Sequence, residues 1–178
     1  MKSSTFSGAM ALWHVPERLV LVSSVCAKGV PHVITVGWKM RTSFSPPMFA
    51  IAIGKERRMH TCIRESGEFV MAVPGADLAE QTVICGTPGD PEEDKFEKCG
   101  FRIRASSFIK SPLIESAAAN FECKVVSQLD SGDHSLFVGQ VLASWVNEDP
   151  GKNLILINDS EGYELLSEKA PYRIGVVR

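Results

Sequence analysis

The chain has 178 residues, a mass of 19.4 kDa, a net charge of −2 and a pI near 6.1, with 44% hydrophobic residues. That length suits one domain, residues 1–178, with a sizeable core, and the scattered lysines and arginines form no basic stripe for nucleic acid. No stretch approaches the roughly 20 apolar residues of a membrane helix, and the N-terminal MKSSTFSGAM has no signal-peptide core, so a cytoplasmic protein without membrane or nucleic-acid partners is expected.

The segment LVLVSSVCAKGVPHVITVG carries β-branched runs on both sides of Ala27-Lys28-Gly29 and predicts a hairpin with Gly29 at a positive φ. Pro46 and Pro47 remove two backbone donors and bar helix, which predicts an irregular loop over Arg41, Thr42 and Ser43. The run MFAIAI and Gly54 then read as a buried strand. RRMHTCIRESG predicts a helix with His60 and Ile63 at helical spacing and Gly67 as its C-terminal cap, and EFVMAVPG a strand. In DLAEQTVICG, Asp77 and Glu80 have the spacing of a capping box and Gly86 stops the helix. DPEEDKFEKCG predicts a further helix with Asp90 as cap, Pro91 in the first turn and Gly100 after the end, and GTPG lies between the two as a loop. From Asn120 the chain reads as strand: FECKVVSQL, a turn at 130–133, HSLFVGQVLASWV with a bulge or close approach at Gly139, and NLILIN. Strands with short links predict a mainly β antiparallel fold, a closed or half-closed barrel with a few helices.

The motifs for Rossmann, P-loop, zincin and nucleophile-elbow chemistry are all missing from the sequence. The four histidines, at 14, 32, 60 and 134, show no family spacing with a nucleophile. Five cysteines, at 26, 62, 85, 99 and 123, are widely spaced with no C-x-x-C, and read as reduced thiols rather than a metal site. Hydroxyls and a guanidinium at Arg41, Thr42 and Ser43 suit a phosphate cradle, while a polar turn closed by prolines accounts for the same residues.

TVGWKMRTSFSPPMFAIAIG, then ERRMHTCI, GEFVMAVPG, CGTPGDPEEDKF and HSLFVGQV, in that order, resemble the flavin reductase-like, FMN-binding split-barrel family, the flavoredoxin type most closely. The resemblance runs from about Val15 to Trp145. It implies an antiparallel split β-barrel of Greek-key type and bound FMN. Within the first motif it places Thr35, Trp38, Met40, Arg41, Thr42 and Ser43 at the cofactor, with Trp38 beside it and Arg41, Thr42 and Ser43 on its phosphate and ribityl tail. Arg57 and His60 follow at the helix start, where Met59 replaces the Ser or Thr usual in the family and leaves Arg58 or Thr61 to compensate. His32, in PHVIT, stands at a polar position of the family, and Lys95 and His134 at positions that approach the flavin. A cation or donor there would stabilise negative charge on reduced flavin.

The implied activity is an FMN-dependent oxidoreductase that takes a hydride or electrons from NAD(P)H or a protein donor and passes them to a second acceptor. No protein residue need be catalytic, because the isoalloxazine carries the chemistry. The alternative is a non-enzymatic electron carrier with protein redox partners. A homodimer is implied in either case.

Overall fold

The structure, a computed structural model, describes residues 3, 5–6, 17–26, 29–89 and 93–148, and the strand backbone of 155–158 and 162–165. Strands β1 (Glu17–Arg18), β2 (Val20–Val25), β3 (Pro31–Val36), β4 (Lys39–Phe44) and β5 (Pro47–Gly54) precede helix α1 (Arg58–Ser66). Strand β6 (Glu68–Val73), a 3₁₀ turn (Ala76–Leu78) and helices α2 (Ala79–Gly86) and α3 (Lys95–Lys98) follow. Then come β7 (Ile103–Arg104), β8 (Leu113–Ile114), the long β9 (Ala119–Ser131) and β10 (His134–Val146), and finally β11 (Ile155–Asn158) and β12 (Gly162–Leu165).

Seven of these strands form one antiparallel sheet in the order β3-β2-β6-β9-β10-β5-β4. Its two edge strands, β3 and β4, are successive in the chain and joined only by Gly37 and Trp38. The sheet therefore has to curl until its edges meet at that corner, without pairing across it. This is a split barrel, with the split at the β3/β4 seam.

Local chemistry explains the hairpins. Gly29 takes φ +76° at the β2–β3 turn, where the Cys26 N–H donates to the Val30 carbonyl at 2.8 Å. Gly132 takes φ +62° between β9 and β10. Gly139 sits at a register shift against β9, and a Cβ there would lie 2.6 Å from the Phe69 ring and 2.9 Å from Cys123 Cβ, so only glycine lets the strands approach.

The core has two compartments. Inside the barrel, Val20, Val22, Ile51, Ile53, Phe69 and Phe137 pack against Met59, Cys62 and Ile63, the buried face of α1, which closes one end. Outside, Leu21, Val33 and Ala72 are covered by Leu78 and Cys85 at α2 and Phe96 of α3. Strand β2 is thus buried on both faces. Two buried carboxylates hold the loop that follows β7. Glu122 accepts from the Ser107 and Phe108 N–H groups and from Trp145 Nε1, and Glu68 accepts from the Lys110 and Ser111 N–H groups.

Four expectations are corrected. The segment before the proline pair is no irregular loop: Lys39–Phe44 pairs with β5, and the prolines occupy the hairpin turn and the first position of β5, where no ladder donor is needed. Asp77 and Glu80 make no capping box, because Asp77 lies inside the 3₁₀ turn and the α2 N-cap is Leu78, with no side-chain cap. The helix does stop at Gly86, its last residue, with Thr87 as the C-cap. The third helix starts at Asp94, whose carboxylate accepts from the Phe96 and Glu97 N–H groups, whereas Asp90 and Pro91 lie outside the described residues. Finally, Cys26 and Cys62 are not free thiols but a disulfide across 36 residues that ties the end of β2 to α1; nothing in their spacing announces it. His14 also lies outside the described residues. Strand β12, pairing with β11, was not expected.

Candidate functional site

A cleft of about 690 Å³ opens at the barrel seam. One wall is β3 and the corner after it, with His32, Thr35, Gly37 and Trp38; the other is the end of β5 with Gly54, then Arg57, Arg58 and His134. The rim is the segment after α2, Gly86 to Gly89, and Glu17 stands at the corner.

The corner is fixed by polar contacts. Lys39 Nζ donates to the Arg18 carbonyl and, at 3.0 Å, to Gly37 O, and the Ala52 N–H donates to Trp38 O at 2.9 Å. Burial lowers the Lys39 pKa, while the nearby Glu17 carboxylate opposes the shift. A Cβ on Gly37 would lie 2.7 Å from Glu17 Oε2, so this glycine makes room for the carboxylate.

Aromatic and cationic groups divide the cleft. The Trp38 and His134 rings lie 4.6 Å apart at 35° and form one shelf, with Trp38 51% exposed. His134 Nδ1 is 2.7 Å from Asp133 Oδ1 and must donate to it. In the neutral ring Nε2 is then an acceptor, and it becomes a donor only on protonation. On the same wall as His134 lies the N-terminus of α1, which has no side-chain cap and no acidic residue in its first turn. Arg57 and Arg58 stand there, so backbone N–H groups, helix dipole and guanidinium charge all favour an anion.

His32 faces the same cations. Burial first, then Arg58 and Lys95, hold its pKa down at about 4, with Asp94 opposing, so it is neutral at pH 7. Thr35 is committed elsewhere, its hydroxyl donating to the Thr82 carbonyl at 2.6 Å. Lys95 lines the cleft, but its ammonium donates to the carbonyls of Ile84, Cys85 and Thr87 at 3.3, 3.3 and 2.8 Å. An ammonium has three protons, and all three are engaged in closing the C-terminus of α2.

The remaining expected residues lie away from the cleft lining. Met40, Arg41, Thr42 and Ser43 are on edge strand β4, where Arg41 stacks on the Phe44 ring at 4.3 Å. His60 is buried against Phe137, with Nε2 2.8 Å from Ser135 Oγ, and burial lowers its pKa. Ser135 in turn donates to Asp130 at 2.7 Å, so His60 Nε2 is the donor in that pair. Sequence reasoning did not single out Glu17, Gly54 or the 86–89 rim as site residues; they come from three separate segments and carry no common motif.

Cross-strand partners reveal one further feature. Trp38 lies opposite Ala52, Ala52 opposite Leu136, and Leu136 opposite Leu129. Met40, Ala50 and Val138 make a parallel row. The outer face of β4, β5 and β10 is therefore apolar along these rows and reaches Leu129 on β9, with Met40 58% and Leu129 63% exposed, and it runs directly into the Trp38–His134 shelf.

The family described as "Flavin reductase like domain" matches residues 12–166. An uncharacterized protein of Archaeoglobus fulgidus is 41% identical over 127 residues, covering 71% of each chain. An NADH-dependent flavin reductase of a Rhodococcus species is 28% identical over 143 residues, covering 79% of this chain and 75% of the relative. In architecture the chain is similar to the FMN-binding protein of Thermus thermophilus solved with bound 1-cyclohex-2-enone, with a TM-score of 0.82 at 21% identity over 97% of this chain and all of that one.

Proposed function

Since the chain belongs to the flavin reductase-like family, we propose that it is an FMN-dependent oxidoreductase whose reductant is NADH or NADPH and whose reduced flavin serves a second acceptor. The observation that carries this reading is the division of one cleft into an anion-binding end and an aromatic shelf. Flavin mononucleotide has the same two halves, a phosphate and a flat ring. Arg57, Arg58 and the α1 N-terminus would hold the phosphate, and Trp38 with His134 would face the ring. Gly54, close to Arg57 and His134, leaves the space between them free of a side chain. When bound, the flavin supplies hydride and electron transfer.

The chain's own groups do the rest. His134, fixed by Asp133, can hold a proton at Nε2 and so favour negative charge nearby. Neutral His32 lines the cleft without adding a competing positive charge. The relative named as an NADH-dependent flavin reductase supports a nicotinamide donor. We further propose a homodimer through the apolar outer face, supported by the exposure of Trp38, Met40 and Leu129. Such packing would cover the aromatic shelf and bring the Met40–Ser43 strand of one copy to the cleft region.

The test uses purified protein. It should release FMN on denaturation, and NADH or NADPH should bleach its flavin absorbance anaerobically. The double variant Arg57→Ala/Arg58→Ala should bind FMN more weakly by roughly 1.5–3 kcal/mol per lost charge-assisted bond, less where water substitutes. Protein that cannot be reconstituted with FMN, or a double variant with unchanged affinity, would overturn the assignment of the cleft.

A further inference from the structure

Two neighbouring thiols, one of them at the cleft wall, play no part in the proposed flavin site. Cys85, in the last turn of α2, is 2% exposed and lines the cleft. Cys99 is the C-cap of α3 and partly exposed. Their sulfurs are 3.8 Å apart, although the residues are 14 apart in sequence and belong to different helices. The other free thiol among the described residues, Cys123, is buried against the carbonyl of Phe121 at 3.6 Å, and burial pushes its pKa up to about 12.

We propose that Cys85 and Cys99 are a redox-active dithiol, a modification site that takes a low-molecular-weight disulfide as oxidant and closes into a second intramolecular disulfide at the cleft wall.

A disulfide needs the sulfurs at about 2.05 Å, so one of them has to move by a little under two ångströms. The side that can give is α3, a helix of only four residues that ends at Cys99 and is followed by Gly100 at φ +62°. The partly exposed Cys99 is the entry thiol. Its thiolate attacks one sulfur of the reagent, forming a mixed disulfide and expelling one thiolate. The Cys85 thiolate then attacks the Cys99 sulfur, forming the Cys85–Cys99 bond and expelling the second. Two cysteine thiols are oxidised, one reagent disulfide is reduced to two thiols, and the two cysteine protons pass through solvent to the leaving groups. Burial raises both thiols, while the Lys95 ammonium pulls the other way on each, so the exchange calls for mildly alkaline conditions. Once closed, the bond makes a covalent ring of residues 85–99, which includes the Gly86–Gly89 rim of the cleft.

The experiment incubates the full chain with 2-hydroxyethyl disulfide at mildly alkaline pH, alkylates what remains and maps the peptides by mass spectrometry. The expected product is a Cys85–Cys99 linked peptide, lighter by two hydrogens than the two reduced peptides, with Cys26–Cys62 intact and Cys123 alkylated only after denaturation. In Cys85→Ser, the hydroxyethylthio adduct should persist on Cys99; in Cys99→Ser, Cys85 should stay unmodified. A wild-type product that stops at the adduct on Cys99, a failure of both thiols to react, or linkage of Cys85 to any cysteine other than Cys99 would overturn the proposal. So would unchanged reaction of Cys85 in the Cys99→Ser protein. Should the variants not fold, the wild-type peptide map decides alone.

Discussion

His32 shows how one side chain's surroundings reach a measurable property. Its pKa is about 4 in the folded chain against 6.5 unfolded, because burial and the Arg58 and Lys95 charges oppose protonation. The unfolded chain therefore takes up this proton first as pH falls. The associated stability is fully present above pH 6.5, declines between 6.5 and 4, and is gone below that window. His32→Gln should accordingly show a shallower loss of the urea midpoint across that window than the native protein, with no divergence between pH 7 and 8. Parallel acid limbs would show that His32 is not neutral in the fold. None of this was visible in PHVIT, where His32 has only a polar position, because the cations that depress it come from α1 and α3. Lys95 is the opposite case. The sequence resemblance puts it at a position that approaches the flavin; in the structure it lines the cleft, but the carbonyls that claim its protons belong to a helix end that no motif marks.

At the level of elements, Lys95 is the C-terminal clamp of α2. Lys95→Met removes three donors from the carbonyls of Ile84, Cys85 and Thr87 at the end of α2, so unfolding stability should drop by roughly 1.5–3 kcal/mol in urea denaturation, while FMN affinity changes little. A large loss of FMN affinity at unchanged stability would instead make its ammonium a ligand. Gly139 offers a second check, since the atoms an added Cβ would meet belong to fully buried Phe69 and Cys123. Gly139→Ala should destabilise by about 1–3 kcal/mol, read from the same urea curves; a neutral result would mean that the β9–β10 bulge can widen. Gly139, the hairpins and the Gly67 cap were legible in the sequence because glycine geometry and β-branched runs act locally. Strand β4 was misread because two prolines suppress the strand signal even where, as in a hairpin turn and at the first position of a strand, they do no harm to pairing. The disulfide was missed for a different reason: Cys26 and Cys62 meet only after the helix folds into the barrel end.

Across the whole molecule, the apolar outer face and the cleft are one continuous surface. Met40→Asp combined with Leu129→Asp puts two charges on that face without touching the core, so sedimentation should change from dimer to monomer. A native protein already monomeric at micromolar concentration would remove the proposed dimer. Resemblance in the sequence implied self-association, but the continuity of face and cleft became visible only through the strand register, which places Trp38, Ala52, Leu136 and Leu129 in one row. The two-residue span between β3 and β4 has a mechanical corollary. From Val36 to Lys39 there are three Cα steps, which at roughly 3.6 Å each can stretch to about 11 Å and no further. The seam is thus a leash of fixed length: at the Trp38 corner the two walls of the cleft cannot part by more than that span.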